Sequence, residues 1–212
     1  MNKSEVSLSF IYSKEREVAR VLETIQWLPW YRDHKYPDNF AKLPQEITEM
    51  SSVEEIEKAV SIEYMEQDFR DIEEYVLSQW GGFQDGFEKM RAIKDLRLSD
   101  SYEVSLTRYG SGGSYNAARN SLIVNIRNSS QRERIAGTIV HEIVHMTIQY
   151  LIDAHSVSHW RKEALVDHLF AYFFPTLHMR QSIPEDVTIV DDSFKTMFPD
   201  LEEIVKTISN AP

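Results

Sequence analysis

The stretch His141-Glu142-Ile143-Val144-His145 lies inside a strongly apolar helical pattern of this 212-residue chain. Apolar residues recur at helical spacing on both sides of it, at Ile135, Ile139, Ile143, Met146 and Tyr150. This spacing predicts a helix over residues 130–151, and its apolar girth predicts burial on most sides. Ser130 and Glu133 fit the pattern of a capping box at its start.

The two histidines of this stretch are spaced to bind one metal ion. Positions i and i+4 lie on one face of a helix, so His141 and His145 can reach the same ion. Glu142 lies about 100° around the helix, where it can touch a water on that ion. Zinc accepts such nitrogen and oxygen ligands and lowers the pKa of bound water towards about 7. Glu142 can then take a proton from the water as it attacks a polarised carbonyl.

A structural interpretation of the same residues is also open. A five-residue pattern arises by chance, and two histidines and a glutamate can be core groups satisfied by their neighbours. However, their burial beside Ile139-Val140 and Ile143-Val144 costs several kcal/mol unless they are paired or bind an ion. Few other charged residues lie on this helix beyond its first turn. The burial cost therefore favours a zinc site.

A third protein ligand is needed, and three residues are candidates. His155 and His159 are close in sequence but lie in the expected loop after the helix. A metzincin would place histidine at position 151, where this chain has Leu151. Glu163 and Asp167 are spaced i and i+4 on the next apolar helix. We favour Glu163 as ligand, because Asp167 can then hold a ligating histidine through its distal N–H.

The composition limits the chemistry that can accompany the motif. The absence of cysteine excludes thiolate zinc ligands, cysteine nucleophiles and a disulfide scaffold. The 23 basic and 34 acidic residues give a net charge of −11, which argues against a nucleic-acid or anionic-membrane surface. A local excess of basic residues between Arg91 and Arg134 is interpreted as ordinary surface. We expect a peptide or protein substrate and neither a nucleic-acid nor a membrane partner, while the oligomeric state stays open.

No targeting or membrane segment is predicted. The first nine residues are polar, whereas a secretory leader has an apolar block of about 7–15 residues behind a basic start. The longest strongly apolar run, Ile143 to Ile152, is shorter than the roughly 20 residues that span a bilayer. We therefore expect a soluble protein, and most simply a cytoplasmic one.

The N-terminal part of the chain is predicted to be rich in helix. Helical spacing predicts a helix over residues 14–27 that ends at Pro29. Apolar residues at helical intervals between residues 46 and 76 predict one or two acidic amphipathic helices, with Ser51 or Ser52 as N-cap. The acidic side chains are expected to form their solvated face.

A small sheet is predicted to precede the motif helix. Alternation with period two predicts strands over residues 102–109 and 121–126, with a short strand and a turn between them. Beyond the motif, the pattern predicts a helix over residues 158–175 and a weak one over 201–208. These elements together indicate an α+β fold with a small mixed sheet.

Three motifs resemble the gluzincin metallopeptidases of the thermolysin-like type. They are the H-E-x-x-H stretch at 141–145, Glu163 with Asp167 at E-x-x-x-D spacing, and Asn116-Ala117-Ala118-Arg119-Asn120-Ser121. The last resembles the Asn-Ala edge strand and turn of that family and is the least specific. The resemblance covers about residues 102–175.

The resemblance implies a zinc-dependent metallopeptidase that hydrolyses peptide bonds with a zinc-bound water. It implies His141, His145 and Glu163 as ligands of one Zn²⁺ ion, Glu142 as general base and acid, and Asp167 as the partner of His141. It also implies a zincin-like fold, in which a small sheet lies over the active-site helix.

The implied edge strand adds a substrate site to this assignment. Asn116 and Ala117 would line the cleft and pair with the backbone of an extended substrate. The chain is too short for the helical C-terminal domain of thermolysin itself, so the resemblance is to the compact members. No motif identifies the group that stabilises the oxyanion; the candidates are His155, His159, His168, Tyr172 and His178.

Three segments are expected on this basis. Residues 1–48 form an N-terminal helix and an aromatic, proline-containing segment, residues 49–180 a zincin-like catalytic domain, and residues 181–212 a tail with a short helix. The aromatic residues between Trp27 and Phe40 are expected to pin irregular chain onto the core; a propeptide-like or partner-binding strip is the alternative. An alternative function is a zincin-fold binding or regulatory module with a structural or latent zinc site.

Overall fold

A computed structural model describes residues 5–37, 40–127, 132–177 and 182–210 of the chain. The strands are β1 (Ser7–Ile11), β2 (Ser101–Thr107), β3 (Gly113–Asn116) and β4 (Ser121–Asn125). The helices are α1 (Lys14–Asp33), α2 (Val53–Glu63), α3 (Glu66–Trp80), α4 (Gln84–Arg91), α5 (Arg132–His155), α6 (His159–Phe173), α7 (Thr188–Met197) and α8 (Leu201–Asn210). The fold is thus α+β, as predicted. The expected capping box of Ser130 and Glu133 lies outside the described residues.

The four strands form one small mixed sheet in the order β1-β2-β4-β3. β1 and β4 run parallel to β2 on either side of it, and β3 runs antiparallel to β4. The predicted strands and the short strand between them are therefore present. β3 forms one edge of this sheet, and its register places Gly113 opposite Val124 and Asn116 opposite Ser121.

The motif helix α5 is the centre of the core. It packs against β3 and β4 of the sheet and against α3, α6 and α8. Ile139, Val140, Ile143 and Val144 have no exposed surface, which agrees with the predicted all-round burial. Helix α5 therefore carries its polar motif residues into the interior, between the sheet edge and α6.

The described part of α5 also has the length and hydropathy of a membrane span. The window Arg134–His155 meets this criterion, but 83% of it is buried inside the fold. Its apolar faces are covered by the sheet and the neighbouring helices, which is the arrangement of a core helix in a soluble domain. The cytoplasmic location stays a prediction.

Two predicted features of the N-terminal region are wrong. Helix α1 does not end at Pro29 but continues to Asp33. Its last turn is stabilised by the stacking of Trp30 on His34, with ring centroids 3.9 Å apart, and by the bond from the His34 N–H to the Trp30 carbonyl. The sequence pattern also gave no strand for β1, whose pairing with β2 joins residues more than 90 positions apart.

The C-terminal region contains one helix more than expected. Helix α8 matches the predicted weak helix, but the tail was expected to contain one short helix only, and α7 is a second one. Tertiary contacts hold α7 in place: Asp191 lies 2.6 Å from His168 of α6, and Phe194 stacks on the same imidazole. Such contacts outweigh the weak local preference of the sequence.

The cap of α2 gives a test of the fold. Ser52 accepts a bond from the Glu55 N–H, and the Glu55 side chain accepts from the Ser52 N–H, which completes a capping box. We expect Ser52→Ala to lower the free energy of unfolding by about 1 kcal/mol, because an N–H loses its partner. Ser61, exposed in the same helix, gives the control: Ser61→Ala should change it by less than about 0.5 kcal/mol. Equal urea midpoints for the two variants would contradict the assignment of the cap.

Candidate metal centre

Helices α5 and α6 bring three predicted ligands together. His141 and His145 lie one turn apart on α5, and Glu163 faces them from near the start of α6. These three side chains offer ligand atoms that all lie within 4.8 Å of one another, and all three are buried. The group can therefore hold a metal ion.

The distances between the ligand atoms match those around a small tetrahedral ion. The Nε2 atoms of His141 and His145 lie 3.1 Å apart. The Nε2 atom of His145 lies 3.3 Å from Oε2 of Glu163. Ligands about 2.0–2.1 Å from a tetrahedral zinc ion lie about 3.3 Å from each other. These two distances are close to that spacing, and the three ligand atoms together lie within 4.8 Å of one another.

Both imidazoles are held in the neutral form that a metal requires. Burial and, to a smaller extent, the neighbouring His145 lower the pKa of His141 to about 3. Burial likewise lowers the pKa of His145, against the opposing effect of Glu163. Neutral imidazole presents a lone pair, which is the form that ligates metals. Two neutral imidazoles and one carboxylate are a set of groups that zinc accepts as ligands.

Neighbouring side chains fix the orientation of each imidazole. Asp167 Oδ1 lies 4.0 Å from His141 Nδ1, on the side away from His145. The ring of Tyr115 stacks on that of His145, with centroids 5.1 Å apart. A carboxylate near Nδ1 favours the proton on that atom and leaves the Nε2 lone pair towards the ion. The structure thus brings Asp167 near His141, and its role as the partner of that histidine stays a prediction.

The carboxylate of Glu163 is contacted from two sides. Lys162 Nζ lies 3.1 Å and His159 Nδ1 lies 3.7 Å from Oε1, whereas Oε2 faces His145. Burial alone would raise the pKa of Glu163, but His145, Lys162 and His159 together lower it well below its usual range. The carboxylate is therefore ionised. Its Oε1 atom contacts Lys162 and His159, and its Oε2 atom contacts His145.

Glu142 lies against the bare backbone of the sheet edge. A Cβ atom on Gly113 of β3 would lie 2.2 Å from Glu142 Oε1 and 2.8 Å from its Cδ. The glycine therefore makes room for this carboxylate. Burial and, to a smaller extent, the negative charge of Glu163 raise the pKa of Glu142 to about 8. A cation between these carboxylates would oppose that shift and favour ionised Glu142.

The remaining predicted residues lie outside this cluster or contact it less directly. Asn116 is exposed at the end of β3, and Ala117 begins a short 3₁₀ turn, so their substrate-binding role stays a prediction. His155 ends α5 and lies near Glu202 of α8. Among the described oxyanion candidates, His159 lies at the site. His168 pairs with Asp191, Tyr172 packs on Phe198, and His178 lies outside the described residues.

Sequence reasoning did not identify four residues that contact the centre or its neighbours. Lys162 is adjacent to Glu163 in the sequence, and this position beside a proposed ligand was the signal that could have identified it. Its Nζ donates to the Tyr115 hydroxyl at 3.4 Å. Tyr115 precedes the Asn-Ala pair in the short predicted strand, whereas Gly113, expected in a turn, begins β3. Tyr36 bonds to His159 across 123 positions of sequence, and no local pattern indicates such a contact.

No protein-family model, curated protein or solved structure matches this chain. The resemblance to gluzincins therefore stays a prediction from the three motifs.

The metal content of three proteins tests the ligand set. We expect purified wild-type chain to carry about one zinc ion, measured by mass spectrometry of the metal after gel filtration. Glu163→Ala should lose most of it, because removal of one of three ligands leaves two imidazoles alone. His155→Ala is the control and should keep its zinc. Loss of zinc in the His155 variant alone would overturn the assignment.

Proposed function

We propose that this protein is a zinc-dependent metallopeptidase of the compact gluzincin type, with a zincin-like fold. The observation that carries the proposal is the convergence of His141 Nε2, His145 Nε2 and Glu163 Oε2 in one buried cluster, with Glu142 beside it. Two facing imidazole nitrogens 3.1 Å apart and a carboxylate oxygen form a set of electron-pair donors. Buried donors of this kind are satisfied by a cation.

The donor set and the closed surroundings favour zinc. Zinc in hydrolytic sites binds two histidines and a glutamate and keeps one position open. When bound, the ion polarises a carbonyl oxygen and makes water acidic enough to lose a proton near neutral pH. The chain has no cysteine and therefore no thiolate ligand that would select another thiophilic metal.

Glu142 is the proposed general base and acid. Its position one residue after His141 points its carboxylate to the edge of the ligand face, against Gly113. There it can accept a proton from the attacking water and return it to the leaving amine. A carboxylate whose pKa is raised by burial is suited to both roles near neutral pH.

The proposed substrate is a peptide or protein in extended conformation. β3 is an edge of the described sheet and packs on α5, so a strand paired with it would pass along the metal centre. Asn116 and Ala117 at the end of β3 are the proposed contacts to the substrate backbone.

A binding or regulatory module with a structural or latent zinc site is the second candidate. The observation that favours it is the low exposure of the cluster: 3% for His141 and His145, 5% for Glu163 and 7% for Glu142. A site so closed admits a peptide only after the cleft opens. Full zinc occupancy without hydrolysis of any unfolded protein substrate would favour this candidate.

Glu142→Gln separates catalysis from metal binding. Because Glu142 is not among the three converging ligands, the variant should keep its zinc. Loss of the base should lower kcat for an unfolded protein substrate by about 10²–10⁴-fold. The rate is measured by release of fluorescent peptides. Hydrolysis at the wild-type rate would rule out the proposed role of Glu142.

Gly113→Ala tests whether the position of the Glu142 carboxylate depends on the space beside Gly113. The added Cβ would lie 2.2 Å from Glu142 Oε1, so the flexible end of Glu142 must move, whereas the metal ligands stay in place. We expect unchanged zinc content and a fall in kcat of about 10²-fold, typical of a misplaced catalytic group.

A neighbouring glycine supplies the control for this test. A Cβ on Gly112 would meet no atom within 4 Å, so Gly112→Ala should keep the wild-type rate. Equal rates for Gly113→Ala and wild type would show that Glu142 does not depend on this contact.

A further inference from the structure

The turn after α1 carries Tyr36 to the start of α6, next to the metal centre. The Tyr36 hydroxyl lies 2.6 Å from Nε2 of His159. On the opposite side of the same ring, His159 Nδ1 lies 3.7 Å from Oε1 of Glu163. One imidazole thus spans the distance between a residue of the N-terminal segment and a proposed zinc ligand.

His159 is held by aromatic rings on several sides. Trp30 and His34 of the N-terminal segment have ring centroids 5.4 and 5.7 Å from that of His159. Trp160 lies 4.6 Å from it, and Tyr36 in turn packs on Trp160 at 5.2 Å. These contacts restrict rotation of the imidazole, so its two nitrogens keep their assigned neighbours.

The two contacts of His159 select one arrangement of its proton. The Tyr36 hydroxyl can donate to Nε2, and a neutral imidazole then carries its proton on Nδ1. Nδ1–H is the group that faces Glu163 Oε1. Lys162 Nζ contacts the same oxygen at 3.1 Å. Both neighbours therefore act on Oε1, and Oε2 stays directed at His145.

The N-terminal segment is anchored by a hydrophobic cluster of its own, and this bears on its role. Val21 of α1 is fully buried there with Ile56 and Val60 of α2 and with Tyr109, which follows β2. A removable inhibitory segment would rest on the surface of a fold that is complete without it. Here the helix that leads to Tyr36 shares a buried cluster with residues of two later parts of the chain.

We propose that Tyr36 and His159 are positioning residues for Glu163. The aromatic segment after α1 then contributes to zinc binding, because Tyr36 helps to orient a ligand. This inference rests on the proposed zinc site. Tyr36 acts through His159 and touches neither the ion nor the substrate. Removal of its hydroxyl should therefore weaken zinc binding without removing a ligand.

Tyr36→Phe in the full chain tests this role, with Tyr31→Phe as the matched control. Tyr31 belongs to the same aromatic cluster, with its ring 5.8 Å from that of Tyr36. Zinc affinity is measured by competition with a chromophoric chelator at fixed pH. Tyr36→Phe should weaken it by about 10-fold, as for other residues that orient metal ligands. Tyr31→Phe should leave it unchanged. The visible spectrum of the Co²⁺-loaded protein should shift for Tyr36→Phe alone.

A double variant tests whether the effect passes through His159. In a His159→Ala background, Tyr36→Phe should cause no further loss of zinc affinity, because residues that act as one chain are non-additive. Independent, additive losses would overturn the proposal, as would equal losses in the two tyrosine variants.

The remaining outcomes separate this inference from the proposed function. Wild-type affinity and spectrum in Tyr36→Phe would overturn the positioning role and leave the zinc site intact. Wild-type affinity with a reduced kcat would assign Tyr36 to the substrate and also overturn it. A wild-type chain that binds no zinc would overturn both.

Discussion

The desolvation of four ionisable side chains in the interior is the constraint on which the rest of this structure depends. His141, His145, Glu142 and Glu163 lie where α5, α6 and the edge of the sheet meet, and water is largely excluded. Desolvation of charges is costly unless partners or an ion compensate it. The imidazoles respond by staying neutral, and Glu163 by its contacts with Lys162 and His159. The ligand atoms of His141, His145 and Glu163 thus remain within 4.8 Å of one another in the interior.

The central part of the fold and the proposed ligands could be predicted because they are encoded locally. The motif on α5 and the i, i+4 pair Glu163 and Asp167 on α6 depend only on helical spacing, and the strands around Gly113 on alternation. Elements that depend on distant partners were missed. β1 is defined by pairing with β2, and α7 by contacts with His168. Neither partner is visible from the segment itself.

The residues around the site also divide into those that local sequence spacing predicts and those that it does not. Asp167 was predicted because it shares a helix face with Glu163, whereas Tyr36 reaches His159 from 123 positions away. The prediction that α1 ends at Pro29 was wrong for a related reason. A proline ordinarily stops a helix, but the aromatic contacts of the following turn offset the lost hydrogen bond. Local sequence spacing thus identifies the proposed ligands but not the residues from distant segments that contact them. Those contacts arise from packing, which depends on the whole chain.

Gly113, at the edge of the sheet, links the proposed pairing of a substrate strand to the position of the Glu142 carboxylate. Gly113 belongs to the strand proposed to pair with a substrate, and the same backbone forms the wall behind Glu142. β3 has four residues and therefore few ladder bonds. In the proposed peptidase, a substrate strand that displaced β3 would also move the backbone behind the Glu142 carboxylate. Substrate pairing would then be coupled to the position of the proposed proton acceptor.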